Sequence, residues 1–202
     1  MGETVTLDRV GDLSAPAREA LRALSVAVYP PGQFTDWPGR RIEWAEAEWC
    51  VRIHGDDGAL VSYVGVSVRD GERDGRSVRI GGIGGVKTDP SMRRRGLAAR
   101  GMQRAHEFFL DEAGVEFALL VCQPRLLDYY TGLGWQEFAG RLLVRQHGAP
   151  AEFTFNRVMT CGVRSAAPQT GTIDLLGPPR LMLMTLAPAL WQRLAASTSD
   201  EA

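Results

Sequence analysis

The residues best placed for chemistry lie in one stretch, residues 83–99, reading IGGVKTDPSMRRRGLAA. An apolar run ends at Thr88, three consecutive arginines stand at Arg93, Arg94 and Arg95, and helical spacing starts after Gly96. Free amides at a helix start, the helix macrodipole and three guanidinium groups together attract phosphate. Gly96 lets a ligand approach the backbone where a side chain would block it. Three arginines alone read as a solvated basic loop; their place between a strand and a helix start makes them an anion site. Two nucleotide motifs fail here. A Walker loop needs glycine directly before lysine, and Val86 precedes Lys87; a dinucleotide fingerprint counted from Gly82 needs glycine where Lys87 stands.

Such a site requires a strand before it and a helix after it, and the periodicity supplies both. Leu97, Gly101, Ala105 and Phe108, with Ala98, Met102 and Phe109 beside them, form a wide stripe at helical spacing that Gly114 ends. Upstream, apolar runs at 49–53, 60–68 and 78–88 are separated by Asp56-Asp57-Gly58 and by a turn over 70–75, which predicts a three-stranded antiparallel meander. A strand begins near Val5. Ser14 followed by Pro16 then opens a helix carrying Leu21, Leu24, Ala27 and Val28. Residues 34–49 are irregular and aromatic-rich, a covering segment and ligand wall. After the long helix come a strand at 117–121, a helix from Pro124 to Gly132, and strands at 142–144, 153–158 and 172–176. The reading is one α+β domain over 1–177. An apolar segment broken by Pro188 and a fraying tail, 178–202, follow it.

Composition narrows the partners. The chain has 202 residues, 45% of them apolar and 23% charged, with a net charge of −1. A general nucleic-acid binder carries a basic excess, so none is expected as a partner. No apolar stretch is long enough to span a membrane, and the first ten residues do not read as a signal peptide, so a cytoplasmic protein is expected. Cys50, Cys122 and Cys161 are odd in number and far apart, which argues for free thiols and no metal site.

Arg93-Arg94-Arg95-Gly96-Leu97-Ala98 resembles the phosphate loop of the GNAT acetyltransferase superfamily, Gln/Arg-x-x-Gly-x-Gly/Ala. Residues 128–135, DYYTGLGW, resemble its later F-Y-x-x-L-G-F signature with Trp135 for phenylalanine. The two fall in family order within residues 76–135. The resemblance implies a GNAT-like mixed, mostly antiparallel central sheet flanked by helices, with acetyl-CoA as donor. It further implies that the backbone of Val86, Lys87 and Thr88 pairs with the pantetheine arm. Arg93, Arg94, Arg95, Gly96, Leu97 and Ala98 would hold the pyrophosphate, and Tyr130 would be the general acid. The chemistry suits that role: transfer from a thioester expels a thiolate, and a phenol of pKa near ~10 is protonated at neutral pH. Tyr129, its neighbour, is assigned to packing.

One departure leaves the base open. Related enzymes often carry a glutamate on the strand before the loop, where this chain reads Gly81-Gly82-Ile83-Gly84-Gly85. Gly84 and Gly85 would instead make room for a bulky acceptor. His54, His147, Asp36 and Asp174 remain as bases by chemistry alone. Within the superfamily, Gln33-Phe34-Thr35-Asp36-Trp37 and Gly171-Thr172-Ile173 resemble segments of aminoglycoside 2'-N-acetyltransferases. Gln33 and Gly84 stand where that group has carboxylates. Gln33, Phe34, Asp36, Trp37, Gly84 and Gly85 are thus the expected acceptor-binding residues, with Glu43, Glu46 and Glu48 as further negative charge. The leading expectation is an acetyltransferase of a small-molecule primary amine, an aminoglycoside-like antibiotic first, and hence of resistance. Another amine (polyamine, amino acid or protein N-terminus) or a non-catalytic acyl-CoA-binding domain are the other readings. A homodimer is left open.

Overall fold

The protein is described here by a computed structural model covering residues 2–30, 32, 38–175, 181 and 182. Strand β1 (Thr4–Arg9) leads into α1 (Ala15–Val28), whose first turn contains Pro16 and is capped by Ser14, its Oγ accepting from the Ala17 amide at 3.4 Å. One face of α1 packs Leu24 against Cys50 and Tyr63 of the sheet. The covering segment contains a short 3-10 turn and β2 (Trp44–Ala45), which pairs in parallel with β12 (Leu181–Met182).

The meander is present as β3 (Trp49–His54), β4 (Leu60–Arg73) and β5 (Arg76–Thr88), antiparallel throughout, with β1 added beyond β3. The second turn is tighter than the expected 70–75. Asp74 and Gly75, with φ of 50° and 78°, turn the chain alone, so both strands run longer. Helix α2 (Leu97–Asp111) lies across the sheet and buries Leu97, Gly101, Met102, Ala105, Phe108 and Phe109. Gly101 permits the close approach: a Cβ there would lie 2.8 Å from a methyl of Val64.

The chain then returns as β6 (Phe117–Cys122), parallel to β5, before α3 (Leu127–Thr131) and β7 (Gln136–Glu137). Strands β8 (Arg141–Gln146) and β9 (Ala149–Glu152) form a hairpin, and β10 (Arg157–Gly162) pairs with both β6 and β7. The strand expected over 153–158 is therefore two strands flanking an irregular stretch. Phe153 and Phe155 pack their rings on Trp44 there instead of continuing a ladder. Strand β11 (Thr172–Asp174) joins β8 to the far half of β4. The expected helix 124–132 is a 3-10 turn over Pro124–Leu126 followed by the short α3. The result is the anticipated α+β architecture, a mixed and mostly antiparallel sheet flanked by helices. Among the described residues, no helix is long and apolar enough to cross a membrane. The expected division at 177/178 falls where most residues lie outside the described set.

Candidate active site

The site arises from a fault in the sheet. Between β4 and β5 the register runs Tyr63↔Lys87 and then Gly65↔Gly84, so β5 carries an extra residue there. Gly85 has a φ of 58°, a left-handed value that glycine adopts without strain. A bulge bends the strand that contains it, and the partnership with β6 stops at the same level: Ile83↔Leu120 is the last pair. Beyond it β5 continues to Thr88 and β6 to Cys122 as the two sides of a wedge. The Lys87 carbonyl turns toward β4 and accepts from Ser62 Oγ at 2.9 Å. Strand alternation then turns the backbone groups of Val86 and Thr88 to the open edge.

A cleft of about 550 Å³ fills the wedge. Gly84 to Thr88 form one wall, and Leu120 to Gln123, Arg125, Tyr129 and Tyr130 form the other. At its base lie Arg93, Arg94, Gly96, Leu97 and Ala98; Arg95 does not line it. Gly96, at φ 74°, is the N-cap of α2 and supplies no side-chain cap, so the first amides of the helix are left for a ligand. Asp89 accepts from Ser91 N at 2.8 Å and Ser91 Oγ at 2.6 Å, which shapes the loop. These hydrogen bonds from Ser91 hold the Asp89 carboxyl below its usual range.

Tyr130 is 7% exposed, packed edge-on to Trp135 with ring centroids 6.4 Å apart, and it reaches the cleft. Burial raises its pKa well above that of a free phenol, so it holds its proton at neutral pH. Tyr129, expected to be packing, is 42% exposed and lines the cleft as well. In so short a helix, backed by a wedge, both neighbours can reach the opening. Trp44, from the segment expected to wall a ligand, lines the cleft, whereas sequence reasoning missed Tyr29, Gln123, Arg125 and Asn156, all on the cleft. Burial raises the Tyr29 phenol to about 12, against the opposing pull of Arg93 and Arg125. Its position at the end of a helix, directly before the aromatic segment, was the available signal.

The described base candidates do not reach the cleft. His54 ends β3 near Arg52 and Asp8, and burial, with Arg52 next, lowers its pKa. His147 sits in the β8–β9 turn at φ 50°, its Nδ1 3.0 Å from Glu43. Asp174 is in β11, opposite Glu72. Glu43, expected to face an acceptor, instead pins that hairpin: it accepts from the His147 amide at 2.6 Å, and its own amide donates to Gln146 at 2.8 Å. Glu46 and Glu48 are exposed. Gln33, Phe34, Asp36 and Trp37 lie outside the described residues, while Gly84 and Gly85 line the cleft as expected. Cys122 also lines it, and burial pushes its thiol up to about 11, which favours the protonated form.

A strand edge open beside an uncapped helix start with two arginines suits an extended, phosphate-bearing ligand. The acetyltransferase (GNAT) domain model matches residues 28–138, more than half of the chain, and the chain belongs to that family. Its class is that of the acyl-CoA-dependent N-acetyltransferases. Solved structures agree in fold. The GNAT family N-acetyltransferase YhbS of Escherichia coli, in complex with CoA, is 15% identical, with a TM-score of 0.57 over 87% of this chain and 91% of its own. A putative N-acetyltransferase from Lactobacillus plantarum is 14% identical, with a TM-score of 0.56 over 81% and 99%. An acyl-CoA N-acyltransferase from Pseudomonas aeruginosa is 18% identical, with a TM-score of 0.54 over 80% and 100%. No curated protein matches the sequence. The residues present fit an acyl-CoA: the open edge at Val86 and Thr88 suits an amide-bearing arm, and the start of α2 suits a pyrophosphate.

Proposed function

We propose that the protein acetylates a primary amine of a small molecule by direct transfer from acetyl-CoA, with Tyr130 as the general acid. The observation that carries this reading is the wedge beyond Ile83 and Leu120, which runs from the uncapped start of α2 to the Tyr130 phenol. Bound acetyl-CoA supplies the thioester carbonyl and the thiol leaving group. Val86 and Thr88 orient the arm through their backbone groups; Arg93, Arg94 and the first amides of α2 neutralise the pyrophosphate. Tyr130 donates its proton to the departing sulfur as the amine nitrogen bonds to the carbonyl carbon. The proton that the amine loses passes to water.

Among acceptors, an amino sugar of the aminoglycoside type leads. Trp44 offers a ring at the cleft, and the exposed Glu46 and Glu48 follow it. A second reading, another amine, is favoured by the engagement of Glu43 with Gln146 and His147, which removes one expected carboxylate from the acceptor. The catalytic unit is residues 1–177, with 178–202 as an appendage, and free thiols at Cys50, Cys122 and Cys161 suit a cytoplasmic setting.

A thermal-shift titration with acetyl-CoA, CoA, ATP and NAD tests the donor. Stabilisation by the first two is expected, ~2.7 kcal/mol at a hundredfold excess over Kd, and a response to ATP or NAD alone overturns the assignment. Product masses from a panel of aminoglycosides, polyamines, amino acids and peptides test the acceptor. Acetylation of peptides without any amino sugar would promote the second reading.

A further inference from the structure

Among the described residues, Lys87 is the only buried side chain of an acidic or basic residue, at 2% exposure. It stands on the cleft wall of β5, yet its side chain takes the other face of the sheet. Val86 joins the core under α2, whereas Lys87 lies opposite Tyr63 and reaches α1. Its Nζ donates to Ser25 Oγ at 3.0 Å and lies 5.0 Å from the centroid of the Tyr63 ring. Taking an ammonium out of water is unfavourable, and an apolar side chain would fill the same space without that penalty. What a lysine adds is a directed link from β5 to α1.

The link leads back to the cleft. Ser25 is itself buried, and its Oγ, while accepting from Lys87, donates to the Leu21 carbonyl at 2.8 Å. The Ser25 carbonyl accepts from the Tyr29 amide at 2.8 Å and so closes the helix. Tyr29 lines the cleft, and its phenol is within electrostatic reach of Tyr130, Arg93 and Arg125. We infer that Lys87 is a positioning residue: through Ser25 it fixes the last turn of α1, and so holds Tyr29 against the Tyr130 end of the cleft. The strand that carries the donor arm thereby also sets the wall on which the acceptor enters. The kinetic consequence rests on the acetyl transfer proposed above; the structural one does not.

The test uses Lys87→Met, Ser25→Ala and the double variant, each in the full chain. Hydrogen exchange by mass spectrometry reads the last turn of α1 without any substrate. Protection of the Tyr29 amide is expected to fall about tenfold in either single variant while residues 15–21 keep theirs, since only the last turn loses its tie. With the amine selected by the acceptor panel, kcat is expected to fall about tenfold while the acetyl-CoA KM stays within about twofold, the pattern of a misplaced wall. The effects of the two singles are expected to sum to more than that of the double variant, because each of them removes the Lys87–Ser25 hydrogen bond. Unchanged Tyr29 exchange in a folded single variant overturns the inference, as do single effects that simply add. If no amine is acetylated by the wild type, the acetyl-transfer reading fails and the exchange arm still decides. If Lys87→Met fails to fold, Ser25→Ala, which deletes one oxygen, carries the test.

Discussion

The two halves of β5 differ in a way that explains where the site is. From Ile80 to Ile83 the strand is paired on both sides, with β4 and with β6, and its glycine at 81 lies under the Phe109 ring. From Gly84 to Thr88 it is paired with β4 alone. One extra residue at Gly85 separates a strand that is pure core from one that offers its edge. The cleft opens where the sheet is interrupted, and the fully paired part of the strand lies in the core.

The largest expected effect lies at the open end. Tyr130→Phe keeps the ring that packs on Trp135 but removes the proposed proton donor, so turnover should fall by ~10²–10⁴ with acetyl-CoA affinity near normal. Equal turnover of the two proteins, with chemistry shown to be rate-limiting, would return Tyr130 to packing. Next comes Gly96→Glu, which puts an L-residue at φ 74° and a negative charge beside the phosphate site. Left-handed strain of about 1–2 kcal/mol should lower stability, while the carboxylate beside the helix start should weaken acetyl-CoA affinity by about tenfold in calorimetry.

A pair of substitutions separates the halves directly. Gly81→Ala would place a Cβ 2.7 Å from the Phe109 ring, so urea unfolding should report a loss of about 1–3 kcal/mol. Gly85→Val, a branched residue at φ 58°, should instead lower acetyl-CoA affinity by disturbing the bulge. If both variants lose the same property to the same degree, the division of β5 is wrong.

The smallest effect is in pH. Burial lowers the Lys87 pKa to about 8, below that of the unfolded chain, so the folded state releases its proton first. Between pH 8 and the unfolded value near ~10.4 the unfolded state binds more protons, and this group's contribution to stability rises with pH. Cys50 and Cys122, whose thiols burial raises to about 12 and about 11, act in the opposite direction above the unfolded thiol pKa. The difference between wild type and Lys87→Met therefore isolates the lysine. Urea unfolding at pH 7.5 and 9.5 should show the wild type gaining relative to the variant at the higher pH. No relative gain would mean that Lys87 is not desolvated.

The features legible in the sequence were those encoded within a few residues. The stripe of α2, the Ser14-x-Pro16 helix start and the Gly96 helix entry each depend on local periodicity or backbone preference, and all are present. The stretch 153–158 misled because alternating apolar residues look alike whether they pair or pack on an aromatic, here Trp44. His54 and His147 had the right chemistry, but only the pairing of β3 and the β8–β9 turn shows that neither meets the cleft.

By itself the sequence determined the longer elements, the α+β class and the basic loop at a helix start, and a short motif pointed to Tyr130 as one of the phenols on the cleft, because turn chemistry, periodicity and short motifs act over a few neighbouring residues. Tertiary structure alone decided that β5 and β6 part at Ile83 and Leu120, that Tyr29 and Arg125 share the opening, and that Lys87 buries its ammonium against Ser25. These depend on register and on contacts between residues far apart in the chain, as Lys87 and Ser25 are at 62 positions. Periodicity cannot convey them, since a strand reads the same whether its edge is paired or open.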